Sequence, residues 1–403
     1  MGKKFKSLYP EYYDEFKCIG GSCEDSCCVG WDIDIDKITF RKYYKVQDSE
    51  MKRMFQKNVH NNEESFSDDV DYGKVKLKSD KRCPFLDCDN YCVIHSKLGE
   101  DYLSNVCTCF PRITNLVDGC YERSLDVACP EAARILLLKE DGIKFKESEE
   151  VIGKHIISNQ VDTKAKELKN SLAKYFKEIR EVSIKIIQNR NLDLSERLYI
   201  LGEFINGLED ESESNFNNIS KFIKNYDINT AEGFYEKNSL YFMLQIDFFK
   251  KMISLLNVDK EVDSALFKEY TKQIIKSFNL DKEEVEPRKY IKIFEEYNKK
   301  YMDEYTYIFE NYLVNFIYNN MFPFNEKESI FDGYIMLLMR YSFMRFYLVG
   351  KYIEERKDSK EDIVRFIQIF SKTIEHHRSY LTKSMRHIKE KEFNNIEFAK
   401  TLL

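Results

Sequence analysis

None of residues 130–403 is a cysteine, although the chain has eleven before that point. Such a sharp boundary in chemistry predicts a boundary in structure. No apolar run is long enough to span a bilayer. The opening "MGKKFKSLYPEYYDEF" is basic at its start but has no apolar stretch after it, so we expect no secretory leader and a cytoplasmic protein. There is no basic excess either: 63 Lys and Arg face 69 Asp and Glu, a net charge of −6, which argues against a nucleic-acid partner. No membrane partner is expected. "CIGGSC" pairs two glycines but lacks the strand–loop–helix setting of a dinucleotide site. No repeat of fixed period supports a solenoid.

With 43% hydrophobic and 33% charged residues, the 403-residue chain reads as a folded protein large enough to build its core without disulfides. The expected fold is mainly α. A small Cys-rich, irregular, metal-binding region with short strands is expected over 1–142, and a large all-helical domain over 143–403. In the first region "WDIDIDKITF" alternates as a half-buried strand or extended loop does, and "GKVKLKS" reads as a short strand. Pro130 suits the first position of a helix, with Glu131 complementing its dipole. In the second region "TKAKELKNSLAKYFKEIREVSIKIIQ" and "YIKIFEEYNKKYMDEYTYIFENYLVNFIYNN" repeat apolar residues at three- and four-residue steps. "YIMLLMRYSFMRFYLVGKYI" is nearly all apolar, as a central helix buried on most sides would be. "DIVRFIQIFSKTIEHHRSYLTKSM" is the last strong helical segment.

The cysteines are Cys18, Cys23, Cys27, Cys28, Cys83, Cys88, Cys92, Cys107, Cys109, Cys120 and Cys129. Structural disulfides do not suit a cytosolic chain, and buried free thiols account for scattered cysteines but not for crowding. Four and then three residues separate Cys18, Cys23 and Cys27, and the same intervals recur at Cys83, Cys88 and Cys92. Spacing of this kind points to a metal, with zinc and an iron–sulfur cluster both open. Only His95 lies near the thiols, which disfavours mixed Cys/His zinc sites.

Three segments, "YYDEFKCIGGSCEDSCCVGWDIDID", "CPFLDCDNYCVIHSKLGEDYLSNVCTCFPR" and "CPEAARILL", resemble the flagellin lysine N-methylase family. The first two also resemble a broader family of zinc- or iron-chelating cysteine-cluster domains. The motif-bearing resemblance covers residues 9–138 or so. It extends more loosely to "NRNLDLSERLYILGEF" and "IEHHRSYL". The family pattern matches Cys18, Cys23, Cys27, Cys28, Cys83, Cys92, Cys107 and Cys129, leaving Cys88, Cys109 and Cys120 as additions, against the spacing echo that included Cys88. The resemblance implies a methyltransferase that uses S-adenosylmethionine to methylate lysines of flagellin. It also implies an iron–sulfur cluster, of the 4Fe–4S kind, with zinc as the alternative metal. Four of the eight thiols would then converge on a common centre. The competing functions are an iron–sulfur redox protein and a zinc-stabilised protein-binding scaffold.

Lysine, with a pKa near 10.4, must lose a proton before its nitrogen can attack a methyl group. Asp32, Asp34 and Asp36 could assist, although such an alternation equally suits a solvated face. Arg112 and Arg134 also match the family, either as groups binding the cofactor or as structural ion pairs. Trp31, the only tryptophan, is expected to pack over the metal region. His376 and His377 are expected on a helix, and His376 matches the family. The three-then-two cysteine spacing of radical S-adenosylmethionine enzymes is missing, so a polar transfer is expected. The cofactor would then bind without a glycine-rich loop, for example through an iron short of one thiolate.

Overall fold

The computed structural model describes residues 4–230, 239–281, 287–326 and 328–403; the first three residues of the opening used to judge a leader lie outside these. The chain divides into two compact units, 1–135 with 144–161, and 136–143 with 162–403. Among the described residues no helix is long and apolar enough to cross a membrane.

The first unit is built on strands β1 (Phe5–Pro10), β2 (Asp34–Ile35), β3 (Val59–Asn61), β4 (Gly73–Val75), β5 (Arg112–Val117), β6 (Cys120–Leu125), β7 (Phe145–Glu150) and β8 (Ile157–Val161). Five form one sheet in the order β7-β1-β6-β5-β8, with β1–β6 and β5–β8 parallel. Three form a smaller sheet, β2-β4-β3. The β5–β6 hairpin turns on Asp118 and Gly119, both at positive φ, the backbone that an Asp-Gly pair adopts at little cost. The polar strands β7, "FKESEE", and β8, "ISNQV", form the two edges, and the charges of β7 discourage further pairing there. Both strands lie beyond residue 142. The all-helical stretch therefore begins after 161 and not at 143, because 145–161 pairs with strands far upstream.

"WDIDIDKITF" is a two-residue strand followed by a helix, Lys37–Tyr44. Asp36 causes the switch. It is 2% exposed, and its carboxylate accepts the Thr39 N–H at 2.9 Å and the Asn105 N–H at 2.9 Å, so it caps two helices at once. Alongside lies a core of Ile33, Ile35, Phe40, Tyr43, Met51, Phe55 and Phe85, into which Cys83 is buried and against which Cys28 and Cys92 pack.

The second unit is helical throughout its described residues after 161. Its axis is the helix Ile330–Glu355, buried without a break from Ile330 to Tyr352. Gly202, on the helix Leu194–Ser214, lets that helix approach: a Cβ there would meet Tyr334 at 2.6 Å. Two buried tyrosines keep hydrogen-bond partners, Tyr334 on the Leu198 carbonyl (2.9 Å) and Tyr297 on Asp358 (2.8 Å). Two long helical patterns are interrupted. Residues 165–175 form 3₁₀ turns before the helix Phe176–Ile187, with the Ser171 hydroxyl accepting the Ala173 N–H and starting a new turn. Residues 290–320 split into Pro287–Tyr297, a π turn over Asn298–Met302, and Thr306–Asn319. His376 closes a second π turn, and His377 caps the next helix through the Tyr380 N–H.

Candidate metal centre

Eleven free thiols lie in the first unit. Several are close enough that ionising one opposes ionising another. Burial pushes Cys83 up to about 12, and the nearby Cys28, Cys107 and Cys92 add to the rise. Burial likewise raises Cys92, with Cys28 contributing, and Cys107, pushed up to about 12, with Cys28 and Cys92 contributing. These four form one set. The chain folds back to make it: the Cys83 N–H donates to the Cys28 carbonyl at 2.9 Å, Val29 bridges to Arg82, and Cys92 starts the helix Val93–Leu98.

A second set contains Cys18, Cys23 and Cys129. Burial raises Cys23, with Cys18 among the charges that add to it. Cys129 stands at the start of the helix Pro130–Leu137, as expected, and its sulfur accepts the Ala132 and Glu131 N–H groups. Those N–H groups lower the Cys129 pKa, but burial outweighs them and pushes the thiol up to about 11. Cys27 joins the two sets. A hydrogen bond with Cys28, then burial, then the charges of Cys28, Cys107 and Cys129 raise its pKa. Cys27 and Cys107 stay open to solvent.

The remaining three thiols sit elsewhere. Cys109 is buried with its sulfur 3.8 Å from the Lys154 carbonyl, Cys120 flanks the Asp118–Gly119 turn, and Cys88 is exposed.

Sulfur donors, grouped and in no disulfide, have the chemistry an iron–sulfur cluster requires. The expectation that four sulfurs share one centre is not met: among the described residues no three His, Cys, Asp or Glu side chains are placed to hold a metal ion. Closure of such a site comes with proton loss to the metal.

Arg134 is held by Glu131 (2.8 Å) and Glu24, which ties the helix that follows Cys129 to the loop carrying Cys23. Arg112 lies over the Phe16 ring, 5.0 Å from its centre. Trp31 packs edge-on against Phe110 at 5.1 Å. Asp32 is exposed and Asp34 half-buried. Tyr43, which the sequence did not single out, is buried beside Cys107, Cys92 and Cys83 and stacked on Phe55 at 3.8 Å. Its only advance signal was the apolar stripe of a short helix.

Residues 180–402 match the FliB lysine N-methylase C-terminal domain. The chain is 33% identical over 146 residues to the flagellar biosynthetic protein FliU of Salmonella muenchen, covering 36% of this chain and 85% of that protein. It is 32% identical over 146 residues to the lysine-N-methylases of Salmonella typhimurium and Salmonella choleraesuis, covering 36% of this chain and 36% of each of theirs. No solved structure matches the chain. With more than half its length matched, the chain belongs to the FliB lysine N-methylase family, protein-lysine methyltransferases by name.

Proposed function

We propose that this chain methylates lysine side chains of flagellin in the cytoplasm, with S-adenosylmethionine as donor, and that its grouped thiols hold iron–sulfur clusters. The match of residues 180–402 to the methylase family carries the reaction class. The name of the Salmonella muenchen relative, a flagellar biosynthetic protein, supports a flagellar substrate. In the polar transfer, the neutral lysine nitrogen attacks the sulfonium methyl group, a C–N bond forms and the C–S bond breaks. S-adenosylhomocysteine leaves, and the lysine proton passes to a base or to water. The donor geometry must be held in line.

Cys28, Cys83, Cys92 and Cys107 would hold one cluster, and Cys18, Cys23, Cys27 and Cys129 a second. A cluster would supply a redox-capable, charged centre and lock the loops that bear it. Anaerobically purified protein, incubated with flagellin and S-adenosylmethionine, should yield flagellin peptides methylated on lysine by mass spectrometry. Absence of methylation by iron-loaded protein would sink the enzymatic reading. Stoichiometric zinc in colourless protein would sink the cluster reading alone.

A further inference from the structure

The second unit contains a half-open cavity of about 530 Å³. That lies within the range of small-molecule sites, about 300–1,000 Å³, and is far more room than one lysine side chain needs. Its wall includes the π turn Asn298–Met302, where the Asp303 N–H bonds back five residues to the Asn298 carbonyl at 2.9 Å. Turns of this kind concentrate at functional sites. All the lining residues but Glu140 fall inside the region matched by the methylase family.

Two buried polar atoms at this cavity lack hydrogen-bond partners. One is a donor, the Nε of Arg345, a residue 2% exposed. The guanidinium is already fixed by the carbonyls of Leu403 (2.5 Å) and Leu402 (2.8 Å) and bonds Tyr341, which leaves Nε–H as its one unpartnered donor. The other is an acceptor, Asn298 Oδ1. Buried polar atoms are so regularly satisfied in proteins that a donor and an acceptor left open at one cavity point to a ligand with both.

The charges sort the ligand further. Five carboxylates and three guanidiniums line the cavity. Glu310 engages two of those guanidiniums, Arg190 and Arg197, each at 2.9 Å. Asp193 and Asp303 remain at the exposed rim. Burial first, and then the charge of Asp193, raises the Asp303 pKa. A carboxylate whose ionisation a neighbouring carboxylate opposes is relieved by a cation beside it.

We propose that this cavity binds the methyl donor, an α-amino acid with an added sulfonium charge: Arg345 receives its carboxylate, Asn298 its ammonium, and the Asp193–Asp303 rim its net positive charge. The assignment rests on the methylase reading. It places donor binding on this unit's own side chains and not on an iron of the thiol region.

The test is calorimetric titration of S-adenosylmethionine and of S-adenosylhomocysteine into the full chain and into the variants Asp303→Asn and Asn298→Leu. Asp303 is an exposed rim residue, so its variant keeps the fold, which circular dichroism would verify. Each variant should bind S-adenosylmethionine about tenfold more weakly, as expected for a lost hydrogen bond or pairing to a charged group. Asp303→Asn should weaken S-adenosylhomocysteine less, because that product has no sulfonium charge. Unchanged affinity in both folded variants, with wild-type binding and methylation intact, overturns the cavity assignment and leaves the methylase reading standing. No binding of either compound to the wild-type chain overturns both.

Discussion

Cys27 and Cys28 are neighbours in sequence, yet their partners differ. Cys28 groups with Cys83, Cys92 and Cys107, while Cys27 also meets the charge of Cys129, which lies with Cys18 and Cys23. The two thiols also bond each other, so the turn that carries them stands where the two sets meet. The first prediction follows from this division. Cys27→Ser and Cys107→Ser should each lose iron and reduce methylation at least about tenfold, since even outer-shell changes at metal sites cost that much. Cys120→Ser should retain both, because Cys120 flanks a hairpin turn and takes no place in either set. Iron analysis beside a methylation assay decides it; full iron and activity in Cys27→Ser would contradict the grouping. Motif resemblance singled out eight positions. Their sorting was not legible, because the Cys28–Cys83 backbone bond joins residues 55 apart and nothing local encodes it.

At the scale of elements, legibility followed how local the encoding force is. The helix Ile330–Glu355 could be read because burial on all sides demands an unbroken apolar run. Pro130 could be read because its missing N–H costs nothing at a helix start. The "WDIDIDKITF" alternation misled because a buried cap, Asp36, overrode the two-residue period. The five-stranded sheet escaped for a different reason. Its edge strands carry few apolar residues, and only the "VDG" turn advertises one hairpin. Within the second unit, Glu310 on the helix Thr306–Asn319 is 1% exposed and bonds Arg197, which is itself buried and bonded to the Leu192 and Ile187 carbonyls. Removing the carboxylate strands a buried guanidinium. Glu310→Ala should therefore cost about 3–5 kcal/mol in urea unfolding, with Glu310→Gln costing less because a neutral acceptor remains. A loss below about 1 kcal/mol in Glu310→Ala would mean that Arg197 finds water instead.

Over the whole chain, chemistry and packing are divided between two compact units. Every cysteine lies in the first, and the second supplies the long buried axis and the polar cavity. A bound group stabilises what it contacts by mass action, and that stabilisation spreads only through the cooperative unit holding the site. Each unit has its own hydrophobic core: Met51, Phe55 and Phe85 in the first, and Phe343, Phe346 and Leu348 in the second. The two should thus respond to different ligands. Reconstituting iron and sulfide should slow amide exchange over the segments bearing the thiols, 18–28, 83–107 and 129–135, and leave exchange from Ile330 to Tyr352 unchanged. S-adenosylmethionine should instead slow exchange around Asp193–Arg197 and Asn298–Glu310 without protecting the thiol loops. Hydrogen exchange read by mass spectrometry on the two loaded states separates these outcomes. Protection of the thiol loops by S-adenosylmethionine would place the donor at the metal region, and equal protection of both units by either ligand would show that they unfold as one.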